Sequence, residues 1–138
     1  MGTRSLTLVS TADGRTFLNM YRQSDGYPSC HGAALAKFLS GMEIINGISS
    51  QRAGEAANGA GCLAAQMVAS FKTKIGLIYI YPADATGCDQ DYTYHVTVTE
   101  KHWDNDAEPG IAVKVVSFKG ETLFEGDVEA FSKFCSEE

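Results

Sequence analysis

Apolar and polar residues alternate in two short stretches near the start of the chain. Leu6 and Leu8 keep this period of two in the first stretch, and Phe17 and Tyr21 keep it in the second. Neighbouring side chains of a strand point to opposite faces, so this period is typical of half-buried strands. The Asp-Gly pair between the stretches suits a two-residue primed turn. The pattern predicts a β-hairpin over residues 5–22.

Three later stretches place apolar residues three and four positions apart, as amphipathic helices do. The first is 29–40, where Pro28 fixes the start of the helix and Ser29 can cap its first free amides. The second, 61–73, is apolar almost all round and contains small alanines, which is typical of a helix packed between a sheet and another element. The third, 127–136, begins with an aspartate that can cap it.

The second half of the chain contains four stretches with strand patterns. Residues 75–81 are continuously apolar, which predicts a central strand covered on both faces. Residues 91–99 alternate, with Tyr and Val on one face and Thr and His95 on a wetter face. Residues 111–118 and 122–125 also have strand composition, with a tight turn between them.

The order of these elements predicts a single α+β domain over residues 1–138. It runs β-β-α, then a long glycine-rich loop at 43–61, then α-β-β-β-β-α. The later connections are short enough for the strands to be antiparallel neighbours. We expect a mainly antiparallel sheet of about six strands packed by about three helices.

Charge and composition narrow the classes of partner. The net charge is −6, and the eleven Lys and Arg residues are scattered singly, which argues against direct nucleic-acid binding. No apolar stretch has the length of a signal peptide or a membrane span. The four cysteines belong to a chain that is large enough to fold without disulfides and shows no export signal, and no two of them have Cys-x-x-Cys spacing. We expect reduced thiols, a cytoplasmic protein and no contact with a membrane.

Four residues with reactive or ligand-binding side chains crowd into the segment between the hairpin and the first helix. They are Asp25, Tyr27, Cys30 and His31. A thiol near a helix start can become a nucleophilic thiolate. However, adjacent helical residues point about 100° apart, so His31 is badly placed to serve as the base for Cys30. We interpret this crowd first as a structural corner, where each member has a turn, cap or packing role, and second as a ligand site.

A second candidate lies at the start of the next helix, in the stretch NGAGC. Asn58 and Cys62 flank a glycine-rich turn, where free helix amides attract anions. The stretch lacks the Gly-Lys-Ser/Thr ending of a phosphate loop. The cysteines and histidines of the whole chain lack the paired spacing of zinc sites, and the acidic stretch 101–110 matches a calcium loop poorly. We expect no metal and no cofactor.

Three stretches of the chain resemble a family of short uncharacterised proteins from phage, bacterial and environmental sequences. They are SDGYPSCHGAALAKFL, NGAGCLAAQMVASFK and LFEGDVEAFSKF, and together with the aromatic strand they extend the resemblance over most of the chain. The shared pattern is Asp-Gly-Tyr-Pro followed by Asn-Gly-x-Gly-Cys-Leu-Ala-Ala-Gln. The family has no established activity, cofactor or catalytic residue. The resemblance therefore implies a phage or metagenomic origin but no mechanism.

These observations favour a small binding or accessory module with an unknown protein or small-molecule partner. Its surface would lie near the crowded corner and the long glycine loop. One alternative is a small enzyme that uses a helix-terminal cysteine, Cys30 or Cys62. Another is a structural subunit that covers a sheet edge by self-association, and hence a homo-oligomer.

Overall fold

The structure is a computed structural model that describes residues 2–45, 56–100 and 108–138. Its elements in chain order are β1 (Ser5–Thr11), β2 (Thr16–Arg22), a π-helical turn (Pro28–Gly32), α1 (Ala33–Leu39), β3 (Glu43–Ile45), β4 (Ala56–Asn58), α2 (Gly59–Phe71), β5 (Ile78–Ile80), β6 (Tyr92–Thr99), β7 (Gly110–Ser117), β8 (Thr122–Asp127) and α3 (Val128–Ser136). The predicted acidic turn at 101–110 lies mostly outside the described residues.

Six strands form one sheet in the order β5-β2-β1-β6-β7-β8. Every pairing in it is antiparallel except that of β1 with β6, which is parallel. The described chain therefore has the α+β class, the mainly antiparallel six-stranded sheet and the three helices that the sequence predicts. The glycine-rich segment 43–61 was expected to be a loop, but its two ends pair as the short parallel strands β3 and β4, and α2 begins within it.

The hydrophobic core lies between the helices and one face of the sheet. On β6 this face is formed by Tyr94, Val96 and Val98, which are all buried. The three helices supply the opposing apolar side chains: Leu35, Leu39, Leu63, Met67 and Phe131. Burial of these side chains removes apolar surface from water, which is the main free-energy gain of folding. The alternation of residues 91–99 thus placed the core face of β6 correctly.

A loop rather than a helix covers part of the second face of the sheet. After β5 the chain crosses over β2, where Tyr81 stacks on Tyr21 with ring centroids 4.8 Å apart. The side-chain amide of Asn19 donates to the carbonyls of Pro82 and Ala85, at 3.0 and 3.1 Å. This loop, residues 81–91, shields the β1–β2 half of the face. The second face of β6, β7 and β8 carries no such cover among the described residues.

The structure corrects two strand predictions. The hairpin is present, but residues 12–15 form a four-residue loop instead of a two-residue turn, and the Asp13 carboxylate accepts a hydrogen bond from the Thr11 hydroxyl. Residues 75–81 are not a central strand: only 78–80 is extended, at the sheet edge, and Ile75 is 98% exposed. Left-handed backbone just before the strand, with φ of 65° at Leu77, interrupts the extended chain.

The helix starts also differ from the sequence-based expectations. The helix predicted at 29–40 begins as the π-helical turn, in which the Tyr27 carbonyl accepts hydrogen bonds from the amides of Cys30 and Gly32. Ser29 is exposed, and no side chain caps this turn. The helix α2 begins two residues before the expected position 61. The last helix agrees closely, because Asp127 caps it as predicted.

The N-cap of α3 allows a test of whether a local residue, Asp127, specifies the start of the helix. The Asp127 carboxylate accepts a hydrogen bond of 2.8 Å from the Ala130 amide. We expect Asp127→Ala to lower the free energy of unfolding by about 1 kcal/mol, measured by urea denaturation. Ser132→Ala, on the exposed side of the same helix, is the control and should be nearly neutral. Equal stability of the two variants would contradict the capping role.

Candidate functional site

Residues 21–32, which include the crowded segment of the sequence, are here called the elbow. The elbow is hydrogen-bonded to the chain just before β1 and to β6. The amide of Gly26 donates to the Thr3 carbonyl at 2.8 Å, and its carbonyl accepts a 2.7 Å hydrogen bond from the buried Tyr94 hydroxyl. A Cβ atom at Gly26 would lie 2.8 Å from the Ser5 Cβ, so only glycine fits this close approach. The backbone of the elbow is thus held against the segment just before β1 and against the Tyr94 side chain of β6.

His31 is the most buried polar group of the elbow. Its ring packs edge-on against Tyr94 and Phe71, with centroid distances of 5.1 and 5.4 Å. Its Nε2 atom lies 2.8 Å from the Thr7 hydroxyl, and Nδ1 has no hydrogen-bond partner in the described chain. Burial, with a smaller effect of the Arg22 charge, lowers the pKa of His31 to about 3. The ring is therefore neutral at physiological pH and bonded to Thr7 rather than to Cys30.

The other three elbow candidates have more exposed positions. Asp25 is exposed, and its backbone is left-handed with φ of 59°. Its carbonyl accepts the His31 amide at 3.2 Å. Tyr27 is exposed, whereas Cys30 is half-buried. The hydrogen bonds found for these residues are internal to the elbow, which gives them a structural role in the turn.

Asn58 and Cys62 lie at the opposite end of α2 from the elbow. Phe71, which contacts His31, is at the end of this helix, about 13 Å along its axis from Cys62. Cys62 is exposed, and its thiol donates to the Gln66 side chain at 3.2 Å. The structure therefore does not bring these two residues together with Asp25, Tyr27, Cys30 and His31.

The amides at the start of α2 already bind an anion, which is a carboxylate of the protein itself. Glu100, at the end of β6, accepts a 2.7 Å hydrogen bond from the Ala60 amide. Its other oxygen lies 3.8 Å from the guanidinium of Arg15. A carboxylate here is stabilised by the positive end of the helix dipole. The position that the NGAGC stretch suggested for an external anion is thus occupied.

The uncovered half of the second sheet face contains a groove. The sequence did not predict that the residues of this groove lie together. In the strand register His95 faces Lys114, and Lys114 faces Glu125 on the far side. In the next row Thr97 faces Ala112. These residues line a groove of about 240 Å³. The alternation of β6 predicted the wet position of His95, but only the strand order places Lys114 and Glu125 beside it.

The groove combines one neutral ring with two opposite charges. His95 is half-buried, and burial followed by the nearby Lys114 charge lowers its pKa, which favours the neutral imidazole. Lys114 and Glu125 are cross-strand neighbours, yet the ion pairs found in the described part of the chain do not include them. The Lys114 ammonium and the Glu125 carboxylate are thus both available to bind a ligand.

The groove continues toward the loop that covers the other half of the face. Thr93 and Val116, the next pair in the register, line a second hollow of about 590 Å³. Its wall is part of loop 81–91 and includes Asp89 and Asp91. Gln90 donates to the Thr93 hydroxyl at 3.2 Å and links this wall to the floor. Strand residues thus form the floor of both hollows, and loop 81–91 forms a wall of the second.

Comparisons of the chain with models of protein families, with curated proteins and with solved structures found no match. Residues 2–45, 56–100 and 108–138 contain no cluster of three His, Cys, Asp or Glu side chains able to hold a metal ion. Within the same ranges, every helix is too short or too polar to cross a membrane. All four cysteines are unpaired.

The burial of His31 predicts a pH-dependent stability. Above pH 6.5 the ring is neutral in both the folded and the unfolded chain. Between 6.5 and about 3 the unfolded chain binds a proton that the folded chain does not, so the free energy of unfolding falls as the pH falls. We expect the advantage of wild type over His31→Gln to shrink by about 1.4 kcal/mol per pH unit below 6.5, in urea denaturation series.

A constant difference between the two proteins from pH 7.5 to pH 5 would contradict this account of His31. If His31→Gln does not fold, NMR titration of the wild-type ring gives the same information. Its resonances should show no protonation above about pH 4.

The left-handed backbone of Asp25 gives a second test of the elbow. A residue with a Cβ is strained at this φ, although Asp tolerates it better than Ala. We expect Asp25→Ala to lower the free energy of unfolding by about 1 kcal/mol, whereas Asp25→Gly stays within about 0.5 kcal/mol of wild type. Thermal and urea melts would measure both. An equal loss in the two variants would assign the effect to the carboxylate instead of the backbone.

Proposed function

We propose that this protein is a small binding module that holds a zwitterionic ligand, such as a free amino acid, in the groove at His95. The observation that carries the proposal is the row formed by His95, Lys114 and Glu125 on the uncovered sheet face. In it an ammonium and a carboxylate stand side by side without forming an ion pair in the described chain. A ligand carboxylate can bind Lys114 while a ligand ammonium binds Glu125.

The size of the groove supports a ligand of this class. Pockets for drug-sized molecules usually measure about 300–1,000 Å³. The groove at His95 measures about 240 Å³, which suits a smaller molecule. The adjoining hollow at Thr93 leaves room for the side chain of an amino acid.

The neutral groups of the groove would orient the ligand between the two charges. An uncharged imidazole donates one hydrogen bond and accepts another, and the Thr97 hydroxyl does the same. The lowered pKa of His95 keeps a second positive charge away from Lys114. The carboxylate of the ligand would therefore select Lys114 by charge and His95 by hydrogen bonding.

The other predictions from the sequence concern a thiol enzyme, the origin of the protein and its location. They remain proposals, and the geometry supports them less well than it supports ligand binding at His95. Among the contacts found in the described chain, neither Cys30 nor Cys62 has a histidine partner of the kind that a thiol enzyme uses. The phage or metagenomic origin depends on the residue patterns alone. A cytoplasmic location is supported by the four unpaired cysteines.

A titration followed by the backbone amide resonances would test the proposed ligand class. The probes are the common free amino acids, together with N-acetyl and amide derivatives that each lack one charge. We expect saturable shifts at residues 95–97 and 112–114 with at least one free amino acid. Each blocked derivative should bind at least about tenfold more weakly, since it loses one ion pair.

A charge-matched pair of variants shows whether the groove is the binding site. Lys114→Met should weaken binding at least about tenfold, whereas Lys37→Met, on the exposed side of α1, should leave it unchanged. The proposal fails if no free amino acid gives saturable shifts, or if Lys114→Met binds as well as wild type does.

A further inference from the structure

β5 is an edge strand, so half of its backbone amides and carbonyls point away from the sheet. Leu77 accepts a hydrogen bond from the Gln23 amide, and the Tyr81 amide donates to Asn19, each at 2.9 Å. Tyr79, between them, is paired with Tyr21 of β2. In an antiparallel pair the bonding direction alternates along the strand. Residues 78 and 80 therefore direct their amides and carbonyls outward, where a further strand could add.

Lys72 occupies part of the hydrogen-bonding capacity of this outward edge. Its ammonium donates to the Ile78 carbonyl at 2.9 Å and to the Gly76 carbonyl at 2.8 Å. The Ile78 amide donates to the same Gly76 carbonyl at 2.7 Å. The outward groups of Ile78 are thus satisfied within the protein. Those of Ile80 have no hydrogen-bond partner in the described chain.

The left-handed turn before β5 makes this closure possible. Gly76 and Leu77 have φ of 77° and 65°, which turns the chain so that the carbonyls of Gly76 and Ile78 both reach Lys72. Positive φ is rare for a leucine, so the turn stores backbone strain. The Lys72 ammonium also lies 5.6 Å from the centre of the Tyr79 ring, where a cation is attracted to the aromatic face.

The side chains of the β5 edge suit contact with an identical edge. Ile75, Ile80 and Tyr79 are 98, 58 and 43% exposed, and residues 75–81 contain no charged side chain. Apart from the Lys72 ammonium, this edge therefore brings no like charges together when two copies meet. The other sheet edge, β8, carries Glu125 and Asp127, which oppose pairing with an identical acidic edge.

The outward groups of Ile78 and Ile80 define one register for such a pair. In a two-fold antiparallel arrangement centred on Tyr79, the Ile80 amide of each copy faces the Ile78 carbonyl of the other. In the monomer that carbonyl accepts a hydrogen bond from the Lys72 ammonium. Lys72 must therefore leave the Ile78 carbonyl before the hydrogen bonds between the copies can form.

We propose that the β5 edge is a pairing surface for a second copy of this chain, and that Lys72 holds it closed in the monomer. Charged lysines are a known means by which edge strands avoid pairing with one another. In this protein the lysine acts through two hydrogen bonds to the edge backbone in addition to its charge.

Sedimentation velocity over a concentration series would test this proposal with two charge-matched variants. Lys72→Met removes the closing hydrogen bonds, whereas Lys74→Met removes the same charge from an exposed neighbour. We expect wild type and Lys74→Met to remain monomers and Lys72→Met to dimerise at least about tenfold more tightly than either. Ile80→Pro, added to Lys72→Met, should restore the monomer, because it removes the amide that would bond to the Ile78 carbonyl of the second copy. Ile80→Asp should do the same, because it brings two carboxylates together at the contact.

Circular dichroism of each variant would confirm that the sheet is intact. A monomeric Lys72→Met protein would overturn the proposal. Equal association of Lys74→Met would show that charge alone keeps the copies apart. A Lys72→Met dimer that persists with both Ile80 substitutions would place the contact on a different surface. Each of these results counts against Lys72 as the closure of β5.

Discussion

The hydrogen bond between the Tyr94 hydroxyl and the Gly26 carbonyl fixes the position of the elbow on the sheet. Around it the packing leaves no spare room: a Cβ at Gly32 would lie 2.8 Å from the Cys135 thiol and 3.4 Å from the Tyr94 ring. The turn before α1, the centre of β6 and the end of α3 therefore meet at one place. The direction of α1 depends on this contact, and so does the burial of its apolar side.

The elements that the sequence predicted well are those specified by nearby residues. The α3 helix follows from Asp127 and the apolar positions just after it, and the alternation of β6 follows from its own residues. The π-helical turn was missed because its hydrogen bonds are wider than the helical spacing that Pro28 and Ser29 suggest. Here the sequence showed that the chain turns, but the backbone path depends on contacts with Tyr94 and Thr3.

Features that depend on distant residues could not be obtained from local patterns. The apolar run at 75–81 resembles a central strand, yet its place at the edge depends on the pairing of β2 with β5. The groove is a similar case, because His95, Lys114 and Glu125 belong to three strands whose register is known only from the fold. The elbow drew attention in the sequence because its residues are close in the chain, whereas the groove residues are close only in space.

The parallel pairing of β1 with β6 has a consequence for how the protein is made. Arg4 and Asp91, which hydrogen-bond at the start of this pair, are 87 residues apart in the chain. A ribosome that adds about 5–20 residues per second needs roughly 4–17 seconds to synthesise that distance. During this interval the hairpin of β1 and β2 has left the ribosome before its partner strand exists. The inner edge of β1 is then open to strands of other nascent chains, although it becomes the centre of the finished sheet.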